Sequence, residues 1–428
     1  MTVLNRLGSS NTFDNALTNL HMRHSGLSNL QENLTSGKKV VRASDDPTGA
    51  AQAERARNRL QRVATDQRAL EMQRNSIASA ESTLGNVIDT VQSFRELVVS
   101  AGSGAKTALD RQTIATQLVG LRDQVVALSN MTDTNGQPLF AGLGSALAPF
   151  IGPLTTDPTY SFDGLSGQTS SSEFAIPNTL DGDAAFMFDQ TRDRAYNANV
   201  QANASATPVG RQLKTSATNV TNPAEVETGQ GYKVTITNMT LGATAATGIA
   251  TYTVEGLAPN AFAPVTLTSA AFDSKIPVSI PITIPNSVSG NTALDLKITG
   301  DVRIGDSVTV QPVTSIFKTL ENAIDGIGSA TTGNEAAQAV AQALTNIDIG
   351  MSKLSSVRGQ AGDLLNRADR ITTNQDKRSI QLEGDRSRAE DLDMTKGISD
   401  FQNQQTGYQA ALQSYAQVQK LSLFNFIG

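Results

Sequence analysis

The chain has 428 residues, 34 basic and 40 acidic side chains, a net charge of −6, and neither Cys nor Trp. Without Cys there are no disulfides or thiolate metal sites, and the mild acidity offers no basic footprint for nucleic acid. Hydrophobic residues at 39% leave room for a buried core in two or three domains, while aromatics at 5% are sparse for a compact enzyme.

The first residues, Met1-Thr-Val-Leu-Asn-Arg, lack the apolar stretch of a cleavable signal peptide. No segment approaches the roughly 18 apolar residues of a membrane span, so no membrane insertion is expected. Phe13, Leu17, Leu20, His24, Leu27 and Leu34 then follow heptad spacing, flanked by Leu30. This predicts a helix that starts in the polar cluster Asn11 to Asp14 and stops at Ser36-Gly37, where Gly37 can take a left-handed cap.

Ser44-Asp45-Asp46-Pro47 opens a second helix. Asp46 suits the N-cap and Pro47 the first helical position, a better reading of the two aspartates than paired catalytic carboxylates or a cation site. A seam runs on through Leu60, Val63, Gln67, Leu70, Arg74, Ile77, Glu81, Leu84, Ile88 and Val91. About 55 residues at about 1.5 Å each give a helix of roughly 80 Å, a rod rather than a globular helix. Gly102 to Gly104 breaks it, and Ile114, Leu118, Leu121, Val125 and Leu128 mark a third helix ending near Asn135-Gly136. A short β-containing stretch follows through Leu139-Phe140-Ala-Gly142.

From about 170 to 312 the composition changes. Only about ten charged residues lie between Tyr196 and Gly300, while Thr, Ser, Ala and Val rise. Period-two alternation at Tyr232–Ile236, Thr251–Val254, Leu294–Ile298 and Asp306–Val310 predicts antiparallel strands. Pro277, Pro281 and Pro285 restrict their segment to an edge strand or an extended loop.

Helix returns after Pro312, with a seam at Val340, Leu344, Ile347, Met351, Leu354, Arg358, Ala361, Leu365 and Ala368. Glu390, Asp391 and Asp393 read as a solvated acidic face. The last helix carries Ile398, Phe401, Gln405, Tyr408, Leu412 and Tyr415 at spacings of three and four, and the chain closes on the apolar Leu421, Leu423 and Phe424. The fold class is α+β: a long antiparallel helical bundle or coiled coil built from both termini, with an inserted, mainly antiparallel β domain. The division is 1–40 and 385–428 as terminal helices of an axial core, 41–142 and 313–384 as the two halves of a helical rod, and 143–312 as the β-rich insert.

Four motifs carry a resemblance. Leu34-Thr-Ser-Gly-Lys-Lys-Val-Val-Arg-Ala-Ser44-Asp45-Asp46-Pro47 is similar to the signature of the bacterial flagellin superfamily. Glu390-Asp-Leu-Asp-Met394, with the later Gln419-Lys-Leu421-Ser-Leu423-Phe424, resembles the end of its hook–filament junction branch. Asn135-Gly-Gln-Pro-Leu-Phe140-Ala-Gly142 and Gly305-Asp-Ser-Val-Thr-Val310, leading into Ile316-Phe317, fit the same family. The likeness covers roughly 10–142 and 305–428 and hardly touches the middle.

The resemblance implies a non-enzymatic structural protein of the bacterial flagellum, secreted by type III export without a cleaved signal and located outside the cell. It implies a homo-oligomeric shell on the filament lattice, with hook-associated protein 1 and flagellin as neighbours. Flagellin proper and a secreted adhesin-like module built on the β insert are the alternatives. Phe13, Leu17, Leu20, Leu27, Leu30, Leu34, Ile398, Phe401, Tyr408, Leu412, Tyr415, Leu421, Leu423 and Phe424 are the expected subunit-packing residues. Gly37, Ser44, Asp45, Asp46, Pro47, Phe140 and Gly142 are the expected structural caps and signature positions.

An apolar C-terminal helix awaiting partners also calls for an export chaperone. The only two histidines, His21 and His24, have just Asp14 and Glu32 as nearby candidate ligands, so a polar seam position outranks a metal site. No cofactor is expected, and neither a phosphate loop nor a nucleophile elbow points to catalysis.

Overall fold

The computed structural model describes residues 9–155, 158–202, 212–240, 248–258, 261–273, 275 and 277–427, and the side chains of 9–13 and 418–427 fall outside that description. The chain divides into two compact units. One, here the terminal unit, comprises Met1–Ala69 with Arg370–Gly428; the other, the central unit, is Leu70–Asp369.

In chain order the elements are α1 (Ser9–Ser36), α2 (Pro47–Ala101), α3 (Ala108–Ser129), β1 (Phe150–Ile151), β2 (Ser161–Phe162), α4 (Gly182–Phe186), β3 (Tyr196–Gln201), β4 (Lys214–Thr215) and β5 (Asn219–Val220). There follow β6 (Tyr232–Thr240), β7 (Ile249–Gly256), β8 (Val265–Thr268), β9 (Val278–Pro285), β10 (Thr292–Gly300), β11 (Ser307–Pro312), α5 (Ile316–Gly328), α6 (Gly333–Glu390) and α7 (Met394–Ile427). This is the α+β arrangement of helical ends around an antiparallel middle. α1 already runs from Ser9, ahead of the expected start, and ends at Ser36 with Gly37 at φ 69°, the left-handed cap. α2 starts at Pro47, and the Asp46 carboxylate accepts the Thr48 and Gly49 N–H groups at 3.1 and 3.0 Å.

In the central unit the seam of α2 is Leu70, Ile77, Leu84, Val91 and Val98, alternating with Ala80, Val87, Phe94 and Ala101, all buried. In α6 it is Val340, Ile347, Leu354, Ala361 and Ala368, alternating with Ala343 and Val357. One heptad position in each helix is as expected and the other is shifted by one residue. Arg74, Glu81 and Arg358, expected in the seam, instead flank it and pair across the two helices. Arg74 meets Asp369 at 3.1 Å, Arg358 meets Glu81 at 2.7 Å, and Arg95 meets Asp348 at 2.9 Å. Such half-exposed pairs contribute about 0–1 kcal/mol each, against roughly 1.5–3 kcal/mol for burying a Leu or Val of the seam.

α3 ends at Ser129, short of the expected Asn135-Gly136. Asn130 caps it, and the Asn130 side chain exchanges two hydrogen bonds with the Phe150 backbone, each 2.9 Å. Asn135-Gly136 lies in the following turn, where Asp133 accepts the Asn135 and Gln137 N–H groups.

Besides the two-stranded β1-β2 ladder, the β insert holds two larger antiparallel sheets. One has the order β3-β11-β6-β7-β8; in the other, β10 pairs with β9 along one edge and with β4 and β5 along the other. β3 and β11 pair from Tyr196–Pro312 to Gln201–Ser307, so the chain enters and leaves this sheet on adjacent strands. Val234, Ile236, Val254, Ile280, Ile282, Ile284, Leu294 and Ile298 share one core. β9 is an edge strand with Pro281 and Pro285 on its outward-facing positions, where a missing N–H costs no ladder bond.

Candidate functional site

Within the terminal unit α1 and α7 pack antiparallel. The His24 and Tyr408 rings lie 5.7 Å apart. A Cβ on Gly26 would meet Gln404 at 2.9 Å, one on Gly407 would meet Arg23 at 2.6 Å, and one on Gly397 would meet Leu34 at 3.2 Å. These glycines therefore leave room for the Gln404, Arg23 and Leu34 side chains of the facing helix.

The stripe along this pair is poorly covered. No described side chain of α1 is buried, and in α7 only Gly397 is. Leu20, Leu27, Leu30, Leu34, Phe401, Tyr408 and Tyr415 are half-buried. Leu17, Ile398 and Leu412 are exposed at 39%, 47% and 42%. By exposure the expected packing residues divide into a half-buried set, of which Leu34 and Tyr408 meet the other helix, and Leu17, Ile398 and Leu412, which stand in water. Phe13, Leu421, Leu423 and Phe424 lie outside the described side chains.

At the base of this pair two of the sequence motifs meet. The Glu390 carbonyl accepts the Lys39 and Val40 N–H groups at 2.9 and 3.4 Å, and the Leu392 N–H donates to the Gly37 carbonyl at 2.9 Å. The segment after α1 is thereby stitched to the break between α6 and α7. Asp393 caps α7 by accepting the Thr395 and Lys396 N–H groups. Asp45 closes the loop by accepting the Arg42 N–H at 2.8 Å, while Ser44 stays exposed beside it.

Glu390 corrects the reading of a solvated acidic face. It is buried, with its side chain only 8% exposed. It pairs with Lys38, with Arg57 at 3.0 Å and with Arg386 at 3.4 Å. The hydrogen bond from Lys38 and the surrounding cations hold its carboxyl below the ordinary carboxylate range. Likewise the Gly49 N–H and the Thr48 hydroxyl hold Asp46 ionised to lower pH. A sequence signal for Glu390 existed: an acidic side chain as the last residue of a helix opposes the macrodipole and needs cations nearby.

The other two motifs meet in the central unit. Phe140 and Phe317 both pack on Phe186, at ring separations of 5.4 and 5.6 Å, and Phe150 and Tyr160 close the cluster around Phe317 at 5.3 and 5.4 Å. Gly142 sits at φ 64°, and a Cβ there would lie 2.3 Å from the Leu165 carbonyl oxygen. A side chain at that position is excluded both by conformation and by space. The sparse aromatics are concentrated here, in packing that composition alone did not reveal.

The comparisons with known proteins agree with this pairing of ends. The profile of the bacterial flagellin N-terminal helical region matches residues 9–145, and that of the bacterial flagellin C-terminal helical region matches 344–427. Flagellar hook-associated protein 3 of Salmonella typhimurium is 30% identical over 189 residues, 42% of this chain and 53% of that protein. The Escherichia coli protein of the same name is 30% identical over 193 residues, 43% and 54% of the two chains. The chain therefore spans about half the length of the curated relatives it matches. The crystal structure of hook-associated protein 3 from Legionella pneumophila shares the fold, with a TM-score of 0.58 at 21% identity over 77% of this chain and 97% of that one. With both terminal regions matched and their four motifs brought together in pairs, the chain belongs to the bacterial flagellin superfamily.

Proposed function

We propose that this chain is the non-enzymatic subunit that joins the flagellar hook to the flagellin filament. The observation that carries the reading is the pair of 30% matches to proteins named flagellar hook-associated protein 3. The half-covered α1–α7 stripe supports it, since exposed Leu and Ile side chains at heptad spacing gain by packing on other copies. Residues 1–40 and 385–428 are the axial-core helices, 41–142 and 313–384 the rod, and 143–312 an outward domain dispensable for assembly. The neighbours are copies of the chain itself, hook-associated protein 1 on the hook side and flagellin on the filament side. An export chaperone holds the C-terminal helix before type III secretion without a cleaved signal.

The terminal segments 1–35 and 395–428 complete their packing on assembly, trading ordering entropy for a shared helical tube. Deletion of the gene tests the reading. Hooks without filaments, with flagellin shed to the medium, are expected; motile cells with normal filaments would end it. A second reading, flagellin itself, is favoured by the two matched profiles, which are both flagellin regions. Purified flagellin extends filament seeds without other proteins, whereas a junction subunit stops after a short collar.

A further inference from the structure

The two units carry opposite charge. The terminal unit holds 17 basic and 13 acidic residues, a net +4, and the central unit 17 basic and 27 acidic, a net −10. The contrast is visible within α2. Residues 47–69 contain five arginines against Glu54 and Asp66, whereas 70–101 contain four acids against Arg74 and Arg95.

Arg55, Arg59 and Arg62 lie at spacings of four and three on an exposed face of α2 that flanks the buried Ala56 and Val63. Their side chains make no hydrogen bond or ion pair among the described residues. In the central unit Asp89 and Glu96 are exposed one heptad apart, and Glu96 accepts only Gln92 at 3.3 Å. Arg55 and Arg62 are also one heptad apart, about 10.5 Å along a helix. Because both sets are spaced by seven, Arg55 and Arg62 can meet Asp89 and Glu96 at a single offset of 34 positions.

We propose that these faces are the two halves of one head-to-tail contact between copies of this chain, Arg55 against Asp89 and Arg62 against Glu96 of the next copy. The inference rests on the self-assembly reading above and specifies its polar contact. Two different patches meeting in this way form a heterologous interface, which links successive copies into a ring or a helix instead of pairing two copies about a two-fold axis. Complementary charge gives such a contact its register and excludes like-charged alignments. Exposed pairs are screened by salt, so the contact is strongest at low ionic strength.

The absence of Cys permits a clean test on the purified full-length chain. Arg59→Cys with Ser93→Cys places two thiols at the same offset of 34 positions, on exposed residues of the two faces. Mild oxidation at low salt is expected to link copies into a ladder, which fades as salt rises. The pair Arg59→Cys with Ser79→Cys, out of register, is the control. Arg55→Glu with Arg62→Glu on the thiol background should lower linkage about tenfold or more, as should Asp89→Arg with Glu96→Arg. Mixing those two reversed chains should restore the ladder. Equal linkage in either reversed chain alone, no restoration on mixing, or no ladder from the parent thiol pair would overturn the contact. Gene deletion bears on the junction reading separately, so the two can fail independently.

Discussion

The helix pair α1–α7 and the helices of the central unit are written in the same heptad grammar and end in different states. Along α2 in the central unit, Leu70, Ile77, Leu84, Val91 and Val98 are at or below 1% exposure. Along α1, at the same spacing, Leu17 is 39% exposed and Leu20, Leu27 and Leu34 are only half-covered. The central helices share their core with α3 and α5, whose Leu118, Val125, Phe317 and Leu320 are buried as well. Within their own unit α1 and α7 chiefly have each other, and two helices can cover only one side of each stripe. Periodicity thus reports that a face wants a partner; whether the partner lies in the same chain is decided by how many helices the unit supplies.

The comparison predicts a gradient of mutational cost. Phe317→Ala removes the ring on which Phe150, Tyr160 and Phe186 converge, and should destabilise the central unit by about 3–5 kcal/mol, read as a large fall in thermal midpoint by calorimetry. A fall no larger than that of a surface control would mean that the aromatic cluster is not the keystone of this unit. Gly142→Ala is next. It forces a Cβ into a left-handed position 2.3 Å from a carbonyl, for about 1–3 kcal/mol, measured by denaturant unfolding.

Glu390→Gln should cost less, about 1–2 kcal/mol. Its carboxylate is buried, but Lys38 and Arg57 remain 40% and 44% exposed, which places the cluster between a surface pair and a buried one. The pH dependence fixes its sign. A carboxyl with a depressed folded-state pKa stabilises fully above its unfolded value of about 4.3, and loses that contribution as pH falls through the lower folded value. The wild-type chain should therefore lose more stability than Glu390→Gln on acidification below about pH 4.5, when proteolysis of the segment 38–46 is followed.

Much of this was legible in the sequence. Ser36-Gly37, Asp46-Pro47 and the period-two strands announced themselves because caps and alternation are local properties of the chain. In α6 the second seam position is filled by Ala343 and Gly350, while the larger Leu344 and Met351 stand one residue away; in α2 the buried Val87 is followed by the equally apolar Ile88. Apolar volume is a poor guide where close helix packing selects small residues. For Glu390 the helix end and Arg386 are local signals of a paired carboxylate, but its burial depends on Lys38 and Arg57, more than 300 positions away, which no local pattern reveals.

The smallest effect on the isolated chain should come from Ile398→Ser with Leu412→Ser. Both side chains already stand 47% and 42% exposed, so substitution removes little buried surface, and unfolding of the monomer should shift by less than about 0.5 kcal/mol. On the packing proposed for assembly the same pair should abolish incorporation, since each exposed side chain would then lose roughly 1.5–3 kcal/mol of burial. A central-unit seam substitution such as Leu84→Ser should do the reverse, collapsing the monomer before assembly can be asked. If the double serine chain assembles as well as the parent, the outward face of α7 is ordinary surface, and the contrast between the two helix systems loses its functional meaning.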